Sequence, residues 1–274
     1  MYSGSTLPAL RYVDTWFGAH QKIDRVARKR LQELVPGDTR FPVTKDILHF
    51  EGVNGPDAIK RKTPAQDEPW HYYDPTDPTD DKILIIIKNH YKQLVQALRS
   101  NNQPRAAFEA AWLAHAVVDG LTPAHHYPYE QELVRLRGGA GVETRNTPKE
   151  KIVMPGDTFR KKLHNNWQMW GDKGLLATHI AFEVGIAGII APLKMKKAVP
   201  TLKELKALKG PDDVEVYFKQ QALKIKDMSL YEQFYAHAWT PNLSRQVSQK
   251  LVPTIVRTVT AIWYSAEMEA RTNA

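Results

Sequence analysis

The sequence predicts an all-α fold in a single domain, a multi-helix bundle. Apolar residues recur at helical spacing over most of the 274 residues, and strand-type alternation is nowhere sustained. No fixed-period repeat appears, which sets repeat architectures aside.

Val13 to Leu34 reads as the first helix, with Trp16, Ile23, Val26, Ala27, Leu31 and Leu34 near helical spacing. It carries His20 and is stopped by Pro36–Gly37. A short apolar segment around Ile47 to Phe50 holds His49, and GVNGPDAIKR then makes a turn that presents Asp57. Thr63 to Pro78 is irregular and proline-rich around the aromatic cluster PWHYYDP. A loop of that kind inside a helical protein tends to carry function. Asp80–Asp81 opens a helix that runs to about Ser100 and includes His90, and Pro104 begins the next.

From Glu130 to Asp157 the composition turns to Gly, Arg, Lys and Thr. The expectation is a surface insertion at about 130–157 within one domain spanning 1–274. Helices should follow within Thr158–Trp170, from about Leu175 to Ala191, and near Thr201–Leu208. Two longer ones are expected over Asp212–Ala238 and Leu243–Ala270.

Hydrophobic residues at 42% and charged residues at 25% are ordinary for a soluble globular chain long enough for a sizeable core. Cysteine is absent, which excludes disulfides, thiolate zinc sites and a cysteine nucleophile. Any metal must then be held by His and carboxylates, a donor set that suits zinc. The net charge of +8 favours an anionic partner, a phosphodiester, a nucleic acid or a membrane surface. Six lysines between Lys194 and Lys209, beside the single acid Glu204, read as a solvated face. The N-terminal stretch has no continuous apolar core of the secretory kind, so the expected location is cytoplasmic. The alternative is a secreted protein whose signal lies outside this chain. The apolar run Ile180 to Leu193 is too short to span a bilayer and contains Glu183.

The stretch with the densest chemistry is WLAHAVVDGLTPAHHY, Trp112 to Tyr127. His115 and Asp119, four residues apart, share one helix face and can hold one ion. Pro123 then breaks the helix and can bring His125 to a neighbouring position. A buried helix could equally satisfy these groups by pairing His with Asp. His179 and Glu183 repeat the four-residue spacing, and Asp57 precedes His71 by fourteen residues. Pairs of this kind converging from separate helices are how bundles build multinuclear sites.

Taken together, WFGAH at 16–20, the GPD ending at Asp57, WHYYDP at 70–75, HAVVDGLTPAH at 115–125 and HIAFE at 179–183 resemble a known superfamily. It comprises the zinc-dependent phospholipases C and the fungal-type single-strand-specific nucleases, and the pieces appear in its order. The resemblance implies an all-helical domain with the metal site in a cleft between helices, and two to three zinc ions. Asp57, His71, His115 and Asp119 would hold the first ion, with Asp119 bridging onward. His125, His179 and Glu183 would hold a second, and His20 would belong to a third.

Two departures shape further expectations. In the superfamily the third ion is ligated by the amino and carbonyl groups of an N-terminal tryptophan, whereas the matching Trp16 is internal here. The expectation is two firmly held ions and a weak or empty third position. The gap from His125 to His179 is also long, which makes LHNNWQ with His164 a rival for the last ligand pair. Gln168 stands where nuclease-type members carry aspartate and is a poor zinc ligand, so His179 and Glu183 are preferred.

The implied activity is hydrolysis of a phosphoric ester, phospholipase C-like, with Asp57 orienting a metal-activated water or accepting its proton. Phospholipid is the first substrate class, nucleic acid the alternative, and peripheral membrane contact a corollary of the first. A helical module that holds metal without turnover is the reading from another class. Trp70, Tyr72 and Tyr73 could form a ligand-binding aromatic wall or pack in the core. HD-type, HExxH, P-loop and nucleophile-elbow motifs are all absent.

Overall fold

A computed structural model describes residues 1–2, 18–37, 40–52, 54–60 and 62–272. Helices make up 69% of the chain, and no strand occurs among the described residues. The fold is all-α, as the spacing of apolar residues predicts.

The helices are α1 (Ala19–Leu34), α2 (Thr44–His49), α3 (Pro56–Ile59), α4 (Lys82–Arg99), α5 (Gln103–Gly120), α6 (Tyr129–Leu136) and α7 (Pro148–Ile152). They continue as α8 (Phe159–Trp170), α9 (Leu175–Ile190), α10 (Leu202–Ala207), α11 (Pro211–Lys226), α12 (Leu230–His237), α13 (Pro241–Gln246) and α14 (Val252–Thr272).

The core is wrapped around α5. Asn102 caps its start, its side chain accepting from Arg105 N at 3.1 Å, and Gln103–Pro104 opens the first turn. Ala106, Ala107, Ala110, Ala111, Ala114 and Ala116 keep the helix slim, so α4, α2, α14 and α1 approach it from several sides. Trp263 of α14 donates from Nε1 to Ala110 O at 3.1 Å across that junction. At the far end Gly120 is required, because a Cβ there would sit 2.6 Å from the Phe218 ring and 3.0 Å from Ile83. Glu109, buried midway along α5, is paired with Arg105 and His90, each at 2.5 Å.

Three elements add detail to the sequence expectation or alter it. Residues 211–237 form two helices rather than one, because the chain turns at Ser229 in the left-handed region (φ 49°). The helix expected over Leu243–Ala270 is present without a break, as α13, a π turn at Val247–Leu251 and α14; the π turn falls just ahead of Pro253, whose missing N–H interrupts the α ladder. The 130–157 stretch, expected as a surface insertion, folds into α6 and α7, the latter with a Thr147–Glu150 capping box. It is tied down by Arg145 to Glu130, and by Lys151 to Glu68 and the carbonyls of Lys60 and Thr63. It forms one wall of the main cleft.

Residues 159–190 are long and apolar enough to qualify as a membrane span by composition. The helix is nevertheless interrupted at residues 171–174, and its second half turns His179 and Glu183 into the protein. Val13 to Phe17 lie outside the described residues, so the observed first helix begins at Ala19.

Candidate metal centre

The last turn of α5 sets the centre. His115 and Asp119 leave it on one face, almost fully buried. The helix then closes with Thr122 Oγ1 donating to Val118 O at 2.7 Å, and Pro123 starts a single 3-10 turn, Pro123–His126. That turn reverses the chain and sends His125 back toward Asp119, with Nδ1 3.5 Å from Oδ1. His126, next in line, turns the other way and donates from Nε2 to Gly120 O at 2.9 Å. An extended strand-like segment lies alongside, held by Tyr73 N donating to His125 O at 3.1 Å, and it delivers His71. α9 supplies His179 and Glu183, and the first turn of α1 supplies His20.

Asp119 is the hub. Its Oδ2 faces His71 Nδ1 in a short contact and His115 Nε2 at 3.1 Å, while Oδ1 faces His20 Nε2 at 3.2 Å. Asp57 Oδ1 lies 3.9 Å from His115 Nε2. Glu183 Oε1 receives His125 Nε2 at 2.9 Å and His179 Nε2 at 3.2 Å. Two groups therefore have donor atoms within 4.8 Å of one another, Asp57–His71–His115 and His125–His179–Glu183. The rival ligand His164 is exposed on α8 and belongs to neither.

A third group was not foreseen: His20, Glu51 and His115. The two imidazoles stack with centroids 4.1 Å apart. Both turn Nδ1 toward Glu51, at 3.7 Å from His20 and 3.1 Å from His115, and Nε2 toward Asp119. Glu51 is fully buried behind the rings. It is positioned by a tight turn in which Gly55 presses on Glu51, where a Cβ would lie 2.2 Å from the carbonyl oxygen. The sequence marks it weakly, as a glutamate among glycines six residues before Asp57.

Trp16, expected at the third position, lies outside the described residues. The group found there is the α-amino nitrogen of Met1, 2.5 Å from Asp119 Oδ1 and 3.1 Å from Glu183 Oε1. This nitrogen and His20 Nε2 both face Asp119 Oδ1.

The electrostatics favour electron-pair donors at two of the rings, whereas His115, against its burial, is raised well above the usual imidazole range by Glu51 and Asp119. Burial pushes the His71 imidazole down to about 3, with the Lys60 ammonium adding to the effect. Burial and the Met1 amine push His125 down to about 4. Both rings are neutral at pH 7. Burial would raise Asp119 and Glu183, but the Met1 amine and the surrounding histidines hold both well below the usual carboxylate range. Burial also opposes ionisation of Asp57, which Lys60 at 2.8 Å and His115 overcome. Behind the centre, burial followed by the Glu51 charge raises the Asp24 carboxyl.

The centre opens into a cleft of about 510 Å³. Asp57, His71, His125, His179 and Glu183 line it together with the apolar Leu133, Ile152, Leu176, Ile180 and Val184 and the charged Lys60, Glu68, Glu130, Arg145 and Lys151. Of the three candidate aromatics, Tyr72 reaches the cleft and stacks on Tyr129 with centroids 5.3 Å apart. Tyr73 packs in the core against Phe218, and Trp70 lies beneath the Lys82 ammonium.

These residues fit a metal. Among the described residues, His71 Nε2, His115 Nε2, His125 Nδ1, His179 Nδ1 and both nitrogens of His20 are buried without a hydrogen-bond partner. Unpartnered polar atoms at such depth are costly unless something strong binds the cluster. Neutral imidazoles and ionised carboxylates, with no sulfur, are a zinc-type donor set. No known family model matches the chain, and no curated protein sequence matches it.

Proposed function

We propose that this protein is a zinc-dependent hydrolase of phosphoric esters, with a phospholipase C-like activity. The observation that carries the reading is the convergence of the Asp57–His71–His115 and His125–His179–Glu183 groups, joined through Asp119, at the inner end of an open cleft. A purely structural metal site would be closed on all sides, whereas this donor cluster faces a space large enough for a small ester.

Asp57, His71, His115 and Asp119 would hold one ion, and His125, His179 and Glu183 another. Asp119 would be shared, and His20 would contribute to a third. Bound zinc supplies Lewis acidity that makes water nucleophilic near neutral pH and offsets negative charge developing on phosphorus oxygens. The chain's residues orient and shield. Lys60 keeps Asp57 ionised, which suits the carboxylate to holding and aligning a water more than to retaining its proton. Tyr72 and Tyr129 give the cleft a flat aromatic wall for a leaving group or headgroup. The apolar residues of the lining would exclude water and suit an acylated substrate better than a polynucleotide.

The test is elemental analysis of purified protein together with hydrolysis of a water-soluble phosphorylcholine ester, with single-stranded DNA as the competing substrate. Zinc at two or more equivalents and turnover of the choline ester support the proposal. A folded protein that takes up no zinc at neutral pH would falsify it. Turnover of DNA alone would move the activity to the nuclease branch.

A further inference from the structure

Helix α8 is built inside out. Along FRKKLHNNWQMW, Asn165 and Met169 are its buried residues. The large apolar side chains point to solvent: Phe159 is 81% exposed, Leu163 63%, Trp167 64% and Trp170 44%. At 3.6 residues per turn these four fall within an arc of about 80°, on the side away from Asn165 and Met169. Arg160 and Lys162 border the arc on its two sides, and Lys161 is exposed as well. The helix contains no acid.

The stripe is held rigidly. Trp170 donates from Nε1 to Ile152 O at 2.7 Å, and the Trp167 indole lies over Gly171, where a Cβ would be 2.6 Å from the ring. It also leads inward. Ile152, 44% exposed, and Ile180, 41% exposed, continue the apolar surface from the ends of α7 and α9 into the apolar part of the cleft lining.

We propose that this stripe docks the protein on a phospholipid bilayer, with α8 lying in the interface plane and the cleft mouth held against the headgroups. The proposal rests on the phospholipase C-like reading of the cleft and names the physical form of its substrate, an aggregated lipid rather than a dispersed ester. Aromatic and leucine side chains on one arc with cations at its borders are the pattern of helices that sit at the headgroup–acyl boundary. Cations at the border complement lipid phosphates. They oppose the alternative occupant, a second copy of this chain. A two-fold contact over the stripe would bring the bordering Arg160 and Lys162 against their own images, with no acid on the helix to pair them.

The experiment uses the full zinc-loaded chain and sedimentation with vesicles of phosphatidylcholine, and of phosphatidylcholine and phosphatidylglycerol in equal parts. The double variant Phe159→Ser/Leu163→Ser removes the two most protruding non-indole groups. Its melting temperature should match that of the parent, since neither side chain is buried. The parent should partition onto both vesicle types, more strongly onto the anionic ones, and the double variant should lose at least about tenfold in partitioning. A second variant, Lys162→Glu, should lose the preference for anionic vesicles and retain binding to phosphatidylcholine.

Hydrolysis of the water-soluble phosphorylcholine ester should be equal in parent and double variant, because the stripe lies outside the donor cluster. Failure of the parent to partition, or undiminished partitioning of the double variant, overturns the docking surface. So does a parent dimer that the double variant disperses while vesicles are ignored. Partitioning without any hydrolysis of the soluble ester keeps the docking surface and refutes the hydrolase reading instead.

Discussion

Replacing Glu51 by glutamine tests whether the centre depends on the carboxylate behind it. Glu51 Oε1 accepts from His115 Nδ1 at 3.1 Å and faces His20 Nδ1 at 3.7 Å, so it favours the tautomers whose Nε2 lone pairs point at Asp119. Glutamine has nearly the same shape, but it loses the charge and turns an NH2 toward one of the two rings. Loss of such an outer partner costs about 10–100-fold in metal affinity, or about 1.4–2.7 kcal/mol. Only His115 is within hydrogen-bond distance, so the loss belongs to that range and not to its square. The assay is zinc competition against a chromophoric chelator, with helicity and melting followed in parallel. Glu109→Gln is the control: it removes another buried, His-paired carboxylate on the far part of α5, and should lower the melting temperature while leaving zinc affinity unchanged. Zinc affinity within about twofold of the parent in Glu51→Gln, or an equal loss in Glu109→Gln, would refute the reasoning.

Asp119→Asn should remove more zinc than His90→Ala or His237→Ala and abolish hydrolysis; equal effects in all three would show that the hub is misassigned. His179→Ala should cost about one equivalent of zinc by elemental analysis, and His164→Ala none, as expected for a ligand against an exposed residue; the reverse result would move the last ligand pair onto α8. Burial pushes His126 down to about 4 from the ordinary 6.5, so the unfolded chain binds the proton first as pH falls. The stability it contributes is complete above 6.5 and is lost as pH drops through that value toward 4, about 3 kcal/mol in all. In His126→Gln the slope of stability against pH over that window should fall by about one proton in denaturant titrations; an unchanged slope would place the titration elsewhere.

The parts of this protein that sequence made visible are those governed by a local period. His115 with Asp119, and His179 with Glu183, needed only the i,i+4 geometry of a helix to be paired. α8, α9 and α10 were placed within a residue or two for the same reason. Glu51 and Met1 were invisible because their relation to the ligands is tertiary: one lies 64 residues from His115 and the other 118 from Asp119. Residues 130–157 have the composition of a loop, and the short helices, ion pairs and backbone acceptors that fasten them are not recorded in composition. The break between α11 and α12 carries neither glycine nor proline; Ser229 takes the left-handed conformation that a sequence reading reserves for glycine or asparagine.

The same helix that forms the dry centre of the fold also carries the most costly polar residues in it. α5 buries Glu109, His115 and Asp119 among alanines, leucine and valines, and no fold needs three such groups on one core helix for packing alone. Glu109 is offset by local partners, Arg105 four residues back and His90 on the adjacent α4. Asp119 has no such local compensation beyond His115; its contacts arrive from α1, the 70–73 segment, the Pro123–His126 turn and the chain's first residue. Two of those contacts, His71 and His125, come from rings that burial keeps neutral, while His115, raised against its burial by Glu51 and Asp119, and the Met1 amine supply the positive charge that holds Asp119 ionised. A buried carboxylate whose charge is offset only by groups gathered from several separate segments is a poor solution for stability and a good one for divalent cations, which can take over that role and use the imidazole lone pairs. That asymmetry supports reading α5 as a helix kept rigid by its alanines so that its last turn can hold metal.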